Sequence, residues 1–244
     1  MNSYLSELIS RMSNDSYLPE YVKVEGSYES SKTVAFAAYN EASQLDKSEF
    51  NSDLYKFIEN ETDDDKRRNA YFIAGHIGKN CNDKNAALFF IDRLKKEKDR
   101  GVIETILLML AELFKPVTTD LTPIFKLTES RNWHIRGLAY EALTNTEHKV
   151  ELFLIDKLKG TDNKDDIQYL ISALKYIGTQ NALPAIEPFL KTRKPGIKDF
   201  AHTAVILIMI REGHSNEVIC KKLKYPESSI NRLRERLSLL TRPG

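Results

Sequence analysis

The sequence predicts an all-α protein, an α-solenoid of about six helix pairs with a capping helix at each end. Apolar residues recur at i, i+3, i+4 and i+7 in successive segments, which is the pattern of amphipathic helices. The alternation of apolar and polar residues that is typical of strands is nowhere sustained. A third observation is a set of isoleucines spaced 31 to 33 residues apart: Ile58, Ile91, Ile124, Ile155, Ile186 and Ile219.

An internal repeat supports this prediction. The segment ALFFIDRLKKEKD at 87–99 matches ELFLIDKLKGTDN at 151–163 at an offset of 64 residues. Half of this offset is close to the spacing between consecutive isoleucines of the set, so the repeat unit is predicted to have about that length. A second series of helices interleaves with the first and aligns on Ile73, Ile106, Ala142, Ala173 and Ala204. Asp, Asn or Gly in a polar turn precedes each helix of this second series, as a helix start requires.

The ends of the chain are predicted to cap the repeats. Residues 1–28 form an N-terminal cap that begins with the helix SYLSELISRM, residues 29–224 form the solenoid, and residues 225–244 form a C-terminal capping helix. Terminal units of a repeat protein need a polar outer face, which the helix SSINRLRERLSLL offers.

Composition indicates a globular chain of 244 residues with 41% hydrophobic residues, 29% charged residues and a net charge of +1. The longest apolar run, AVILIMI at 204–210, is too short to cross a bilayer, and the N-terminus has no secretory pattern. Cys81 and Cys220 lack CxxC spacing and suit reduced thiols. We therefore expect a cytoplasmic protein that does not contact membranes. Residues 209–244 carry eight basic and four acidic residues, so this end is basic.

Two segments resemble a known family. NWHIRGLAYEAL at 132–143 and DKRRNAYFIAGHIG at 65–78, the latter with Arg67, Ala70 and Gly78, resemble the first-helix pattern of HEAT repeats, particularly those of short-period bacterial members. The resemblance covers roughly residues 29–224. It implies a solenoid whose second helices line the concave face, and a scaffold that binds other macromolecules without catalysis.

Charged residues follow the predicted second helices in two columns. Two positions after each core isoleucine the side chain points away from the core, and this column contains Arg93, Lys126 and Lys157. The adjacent column contains Asp92 and Asp156. Two interpretations stay open: a solvated ladder of ion pairs, or a concave groove that binds a protein partner of mixed or acidic charge. In the second, the protein is a scaffold in the role of an adaptor or of an immunity partner of a toxin.

The segment GHSNEVICKKLKYPESSINRL at 213–233 resembles the helix-turn-helix of response-regulator activators, and the helix-turn-helix-like region extends over 213–240. The resemblance implies a DNA-binding protein as the alternative function. Base edges would be contacted by Ser228, Ser229, Asn231 and Arg232, and phosphates by Lys221, Lys222, Arg234 and Arg236. The same segment is in phase with the repeats, so its helices also suit a cap, and the two interpretations are compatible.

Catalytic patterns are sparse. The five histidines are dispersed, with no HExxH spacing, no glycine-rich phosphate loop and no GxSxG motif. His76 and Cys81 are close in sequence, but two ligands do not make a metal site. We predict no catalytic residue, metal, cofactor or small-molecule substrate. SRNWHIRGLAYEAL also resembles a repeat of HEAT-like alkylpurine DNA glycosylases, a minor alternative because the chain has one tryptophan, Trp133, which we expect to pack between repeats.

Overall fold

The computed structural model of the protein describes residues 1–21 and 28–240, apart from the side chains of residue 236 and residues 238–240. Over these residues the regular secondary structure consists of fourteen α-helices and four short 3-10 helices, without a β-strand. The predicted all-α class is therefore confirmed. Residues 22–27 of the predicted N-terminal cap, and residues 241–244 of the C-terminal one, lie outside the described residues.

The chain divides into two compact units. The first comprises residues 1–129 and 145–148, and the second comprises residues 130–144 and 149–244. The described helices of the first unit are α1 Ser3–Arg11, α2 Val34–Ser43, α3 Asn51–Asn60, α4 Asp64–Asn80, α5 Lys84–Leu94, α6 Arg100–Glu112 and α7 Thr122–Leu127. Those of the second are α8 Trp133–Ala142, α9 Glu151–Lys159, α10 Lys164–Ile177, α11 Leu183–Ile186, α12 Pro195–Arg211, α13 Asn216–Leu223 and α14 Glu227–Leu240.

Side-chain caps mark the starts of α4, α6, α8 and α10. Asp63 and Asp99, just before α4 and α6, each accept a hydrogen bond from a backbone N–H three residues further on. Asn132 and Asn163 accept equivalent bonds at the starts of α8 and α10. Each cap satisfies an N–H group that has no partner within the helix and contributes about 1 kcal/mol. Four of the five predicted polar starts are thus capped by side chains, whereas α12 begins at Pro195 without a side-chain cap.

The recurring apolar residues form the cores of the two units. All six spaced isoleucines are exposed by 3% or less, and the five residues of the interleaved series, from Ile73 to Ala204, are fully buried. In the first unit α4 packs on α3 and α6, and in the second α10 packs on both α8 and α12. A Cβ atom on Gly75 of α4 would lie 2.5 Å from Cγ of Met109, so glycine permits the close approach of α6.

One predicted helix is only partly α-helical. The segment around Ile186 is an α-helix from Leu183 to Ile186 and continues as a 3-10 helix over Glu187–Lys191. Pro188 explains the change, because it lacks the N–H group that would continue the α-helical hydrogen bonding.

Helix α12 carries the longest apolar run of the chain, and most residues of this run are buried in the second unit. It packs on α10, α11, α13 and α14, and its alanines Ala201 and Ala204 are fully buried. Its 17 residues make it as long as α4. Within the described part of the chain, no helix combines the length and the apolar character that crossing a bilayer requires.

A largely buried arginine joins consecutive helix pairs in the first unit. Arg67 of α4 donates to the backbone carbonyls of Glu61 and Thr62 in the turn before its own helix. Its Nη2 also donates to Glu97, 30 residues further on, at 2.9 Å. The Arg67 side chain is 13% exposed and that of Glu97 is 6% exposed. The arginine therefore joins the turn between α3 and α4 to the turn between α5 and α6.

The second unit repeats this arrangement. Arg136 of α8 donates to the carbonyl of Ser130 at 2.8 Å in the preceding turn. Its Nε and Nη2 donate to the carboxylate of Asp166 on α10 at 2.9 to 3.2 Å. Two donors on one carboxylate form the fork geometry that favours arginine over lysine. The family resemblance drew attention to Arg67, but the sequence did not indicate these acidic partners.

The segment after α6 contains a fully buried lysine. The backbone N–H of Lys115 donates to the carbonyl of Asn145 at 3.0 Å, and its own carbonyl accepts from the N–H of Glu147 at 3.1 Å. Its Nζ donates to the carbonyls of Leu110 and Leu113 near the end of α6. Burial lowers the pKa of Lys115 to about 7, because removal from water disfavours the charged ammonium group.

Breaking the ion pair of Arg136 and Asp166 should destabilise the second unit far more than breaking an exposed pair does. Asp166→Asn keeps the side-chain volume but leaves a largely buried guanidinium without its countercharge, so we expect a loss of about 2–3 kcal/mol. Asp65→Asn is the matched control: Asp65 lies 2.7 Å from Arg68, with side chains 68% and 44% exposed. The control should lose less than about 1 kcal/mol. Urea unfolding measures both, and equal losses would contradict a stabilising role of the buried pair.

Lys115 should make stability depend on pH. Its pKa is about 7 in the folded chain and near the ordinary 10.5 in the unfolded chain, so between these values only the unfolded chain holds the proton. Stability therefore rises with pH in this range, by at most about 1.4 kcal/mol per pH unit, and the cost of burying the charge is fully present below pH 7.

Replacing Lys115 removes this dependence. We expect the free energy of unfolding of Lys115→Met, relative to the wild type, to fall as the pH is raised from about 6 to about 9.5. Urea unfolding at several pH values gives the difference. The exposed Lys56→Met should show a constant difference, and a constant difference for Lys115→Met would disprove the lowered pKa.

Candidate interaction surfaces

Arg93 of the predicted cationic column lies on α5 beside a buried tyrosine. Its Nε donates to the hydroxyl of Tyr71 at 3.4 Å, and Tyr71 is fully buried on α4. Burial raises the pKa of Tyr71 to about 12, so the hydroxyl stays neutral and accepts this bond. Within the described residues Arg93 forms no ion pair. Its guanidinium is oriented by a neutral partner and keeps its charge available.

A cleft of about 470 Å³ borders Arg93 in the first unit. Nine of its ten lining residues are charged: Glu59, Glu61, Asp64, Glu97, Asp99, Arg67, Arg93, Lys96 and Lys98. Such a lining favours a polar ligand over an apolar one. Internal pairs neutralise several of them, since Arg67 binds Asp64 and Glu97. Among the described residues, Arg93 and Lys98 are the two lining cations that form no ion pair. The charged cleft therefore offers two cations without an ion pair, beside three acids that form none in the described residues either, Glu59, Glu61 and Asp99.

Asp92, the predicted acidic neighbour of Arg93, pairs within its own helix. Its carboxylate lies 2.7 Å from Nζ of Lys96, one turn further on, and both side chains are more than half exposed. This hydrogen bond with Lys96 lowers the pKa of Asp92. An exposed pair of this kind contributes little stability. It leaves Arg93 without an acidic partner.

Lys126 lies on α7 of the same unit and is exposed. Helices α5 and α7 pack against each other. A looser ion pair, 3.5 Å between Nζ of Lys95 and Asp120, joins the end of α5 to the segment before α7. Arg93 and Lys126 thus belong to neighbouring helices of one unit.

Lys157 and Asp156 lie on α9 in the second unit. Asp156 is exposed and Lys157 is half-buried, with its Nζ 5.5 Å from the centre of the Phe153 ring. The alignment of Lys157 with the two cations of the first unit stays a prediction.

The helix-turn-helix-like segment forms two helices, α13 and α14. Helix α14 begins at Glu227, and Lys224 ends α13 with a left-handed backbone, φ 52° and ψ 43°. Ile219, a predicted core position, is buried, and so are Leu223 of the same helix and Ile230 of α14. The local structure is therefore a compact helix pair, whatever ligand it binds.

The residues proposed to contact DNA differ in their surroundings. Ser228, Asn231 and Arg232 are exposed on one side of α14, opposite the buried Ile230, while Ser229 is half-buried. On α13 Lys221 is exposed, whereas Lys222 forms an ion pair of 2.6 Å with Glu187. The side chain of Arg236 lies outside the described residues.

A network of side chains holds α13 against α14. Nδ2 of Asn216 donates to Asn231 at 2.6 Å, and Oδ1 of Asn216 accepts from Nε of Arg234 at 2.7 Å. Arg234 also donates to the carbonyl of His214. Asn231 and Arg234, both candidates for DNA contact, therefore already have structural partners.

Trp133 borders a second cleft, of about 300 Å³, in the second unit. Its ring centroid lies 6.3 Å from that of Tyr169 on α10, and the side chain is 46% exposed. It thus touches the next helix pair, as expected, but is not enclosed. We name this site the aromatic–acid cleft after its residues Trp133, Tyr169, Phe200, Glu141 and Asp165. Sequence reasoning missed it because the three aromatic residues come from three separate helices.

The two metal-ligand candidates have other partners. The ring centroid of His76 lies 4.4 Å from that of Phe72, and burial lowers the pKa of His76. Sγ of Cys81 donates to the carbonyl of Asp46 at 3.0 Å. Across the residues that the structure covers, no group of three or more His, Cys, Asp or Glu residues is arranged to hold a metal ion.

Comparison with known proteins does not assign a family. No protein-family model matches the sequence, and no curated protein does so either. Among solved structures, the chain is similar to the crystal structure of an engineered protein at 13% identity, with coverage of 97% of this chain and 95% of that one. The TM-score of 0.34 is too low for this similarity to support a conclusion about fold or function.

Proposed function

We propose that the protein is a HEAT-like α-solenoid that acts as a non-enzymatic scaffold and binds a protein partner along its second helices. The binding residues would be the cations Arg93, Lys126 and Lys157 with the flanking acids Asp92 and Asp156. The observation that carries the proposal is the charged cleft beside Arg93, in which a guanidinium oriented by a buried tyrosine lacks an acidic partner.

The packing within each unit supports the solenoid part of the proposal. Stacked first helices, α4 on α6 and α8 on α10 on α12, are the contacts that tandem helix pairs make. The bridges of Arg67 and Arg136, each to an acid 30 residues further on, support a structural repeat of about the same length as the repeat in the sequence.

The chemistry of the charged cleft supports a macromolecular ligand. Its near balance of acids and bases, with groups of both signs that form no ion pair in the described residues, suits a protein surface of mixed charge, whose acidic groups would contact Arg93. A small apolar substrate would gain little from a lining that is almost entirely charged. An adaptor and an immunity partner of a toxin are both consistent with such a scaffold.

Charge reversal of the column should reduce partner binding with little loss of stability. We expect the triple variant Arg93→Glu, Lys126→Glu, Lys157→Glu to lose about 0.5 kcal/mol of stability per site. Its association rate should fall about tenfold at low ionic strength and less at high, because exposed charges act mainly on the encounter.

The measurement begins with capture of partners from a host lysate on wild type and variant, followed by surface plasmon resonance with the captured partner at two salt concentrations. The matched control is Lys66→Glu, Lys164→Glu, Lys198→Glu, three exposed lysines in the first turns of α4, α10 and α12. The proposal would be wrong if the triple variant and the control bound the partner with equal kinetics.

Binding to DNA is the second candidate, favoured by the exposed side of α14. Ser228, Asn231 and Arg232 lie there, and Lys221 is exposed on α13, so these side chains could reach a duplex. Because Asn231 and Arg234 are engaged by Asn216, this candidate relies mainly on Lys221 and Arg232 for phosphate contacts.

Salt dependence should decide this candidate. If Lys221 and Arg232 bind phosphates, the logarithm of the affinity should fall linearly with the logarithm of salt concentration, and each alanine substitution should reduce the slope by about 0.9. Fluorescence anisotropy with mixed-sequence duplexes measures the slope, with Lys164→Ala as control. Absence of binding at micromolar protein and low salt would exclude the DNA function.

A further inference from the structure

The aromatic–acid cleft presents aromatic surface to solvent on three helices of the second unit. Trp133 of α8 is 46% exposed and Phe200 of α12 is 39% exposed, with Tyr169 of α10 also lining the cleft. Burying a large aromatic side chain is normally favourable, so several such rings at the rim of one cleft indicate a surface that is covered by a ligand.

Glycine shapes this cleft. A Cβ atom on Gly137 would lie 2.2 Å from the ring of Tyr169, so no larger residue is compatible with the present position of this ring. The ring of Tyr169 therefore lies directly against α8, close to Trp133, with an angle of 43° between the two ring planes. Packing against α8 therefore fixes the orientation of the Tyr169 ring in the cleft.

The same cleft is negatively charged. Glu141 and Asp165 line it, and no lysine, arginine or histidine is among its lining residues in the described part of the chain. Oε1 of Glu141 accepts a hydrogen bond from Ser172 at 2.9 Å, which fixes that carboxylate. Asp165 forms no ion pair within the described residues, whereas the next residue, Asp166, is neutralised by Arg136.

These features select the chemistry of the ligand. An apolar group would leave the carboxylate of Asp165 desolvated without a countercharge, and an acidic or phosphate group would be repelled. A cation gains from both the carboxylates and the negative faces of the aromatic rings. A guanidinium fits better than an ammonium, because it is planar, stacks on aromatic faces and donates two parallel hydrogen bonds to a carboxylate.

We propose that the aromatic–acid cleft binds an arginine side chain of a partner protein, stacked on Trp133 or Tyr169 with its guanidinium directed to Asp165. The proposal rests on the proposed scaffold function in that the arginine belongs to a protein, but it does not depend on the cationic column. It adds a second contact of opposite charge to the scaffold.

Trp133 supplies the measurement, because it is the sole tryptophan of the chain and lines the cleft. The intact protein is titrated with a blocked pentapeptide that carries one arginine between glycines, and indole fluorescence is recorded. The arginine peptide should give a saturable change. The same peptide with citrulline, which has nearly the same shape but no charge, should bind about tenfold more weakly or not at all.

Variants locate the effect. Asp165→Asn should weaken the arginine peptide about tenfold, while Asp162→Asn, an exposed acid in the preceding turn, should leave its Kd unchanged. Circular dichroism confirms that both variants are folded. Equal Kd values for arginine and citrulline peptides, or for Asp165→Asn and wild type, would overturn the proposal. Tighter binding of a lysine peptide or of tetramethylammonium would overturn the preference for a guanidinium.

Binding of a whole partner protein tests whether the arginine belongs to a protein. A partner captured by the scaffold should bind Asp165→Asn more weakly than wild type, and an unchanged partner Kd alongside intact peptide binding would overturn the assignment to a protein. The variant with the reversed cationic column should bind the peptide as wild type does. Failure of the peptide titration and failure of the scaffold proposal are therefore separate results.

Discussion

The bridge made by a largely buried arginine is the interaction on which each unit depends. Arg67 and Arg136 donate backward to carbonyls of the preceding turn and forward to an acid of the next helix pair. A charge with so little exposure is tolerated only if its donors are satisfied, so turn, helix and following pair must take one arrangement. Apolar contacts alone tolerate small shifts of one helix along another. The planar guanidinium removes that freedom.

The features that the sequence predicts well are local or periodic. The isoleucine spacing identifies buried positions in both units, and Asp63 and Asn132 mark helix starts, because capping and helical periodicity act within a few residues. Lys115 shows where such reasoning ends. Its backbone partners, Asn145 and Glu147, lie about 30 residues away in the sequence. Because a lysine between two helices is ordinarily exposed to solvent, no local pattern predicts its burial.

In the candidate sites, too, the sequence predicts features that depend on one helix and does not predict contacts between helices. Helical geometry places Lys126 on the surface correctly, since exposure follows from its angle to the core isoleucine. The bond between Arg93 and Tyr71 joins two helices, and no pattern in the sequence predicts it. Asp165 and Asp166 are adjacent acids at a helix start, yet a step of about 100° puts one in the cleft and the other on Arg136. Only the packing of α8 against α10 distinguishes them.

Several residues of the last helix pair, α13 and α14, are used in packing the two helices together, and this limits which of them can bind a ligand. Ile230 is fully buried, and Asn216 of α13 binds both Asn231 and Arg234, so these three residues of α14 are committed to the fold. A duplex that used Asn231 for base contact would have to replace the hydrogen bond to Asn216, at a cost that a solvated side chain would not incur. Lys221 has no such bond in the described residues, and Arg232 has only a long one, 3.5 Å from its Nε to the carbonyl of Ser228. The arrangement therefore favours contact with phosphates over reading of base edges, and a capping role requires neither.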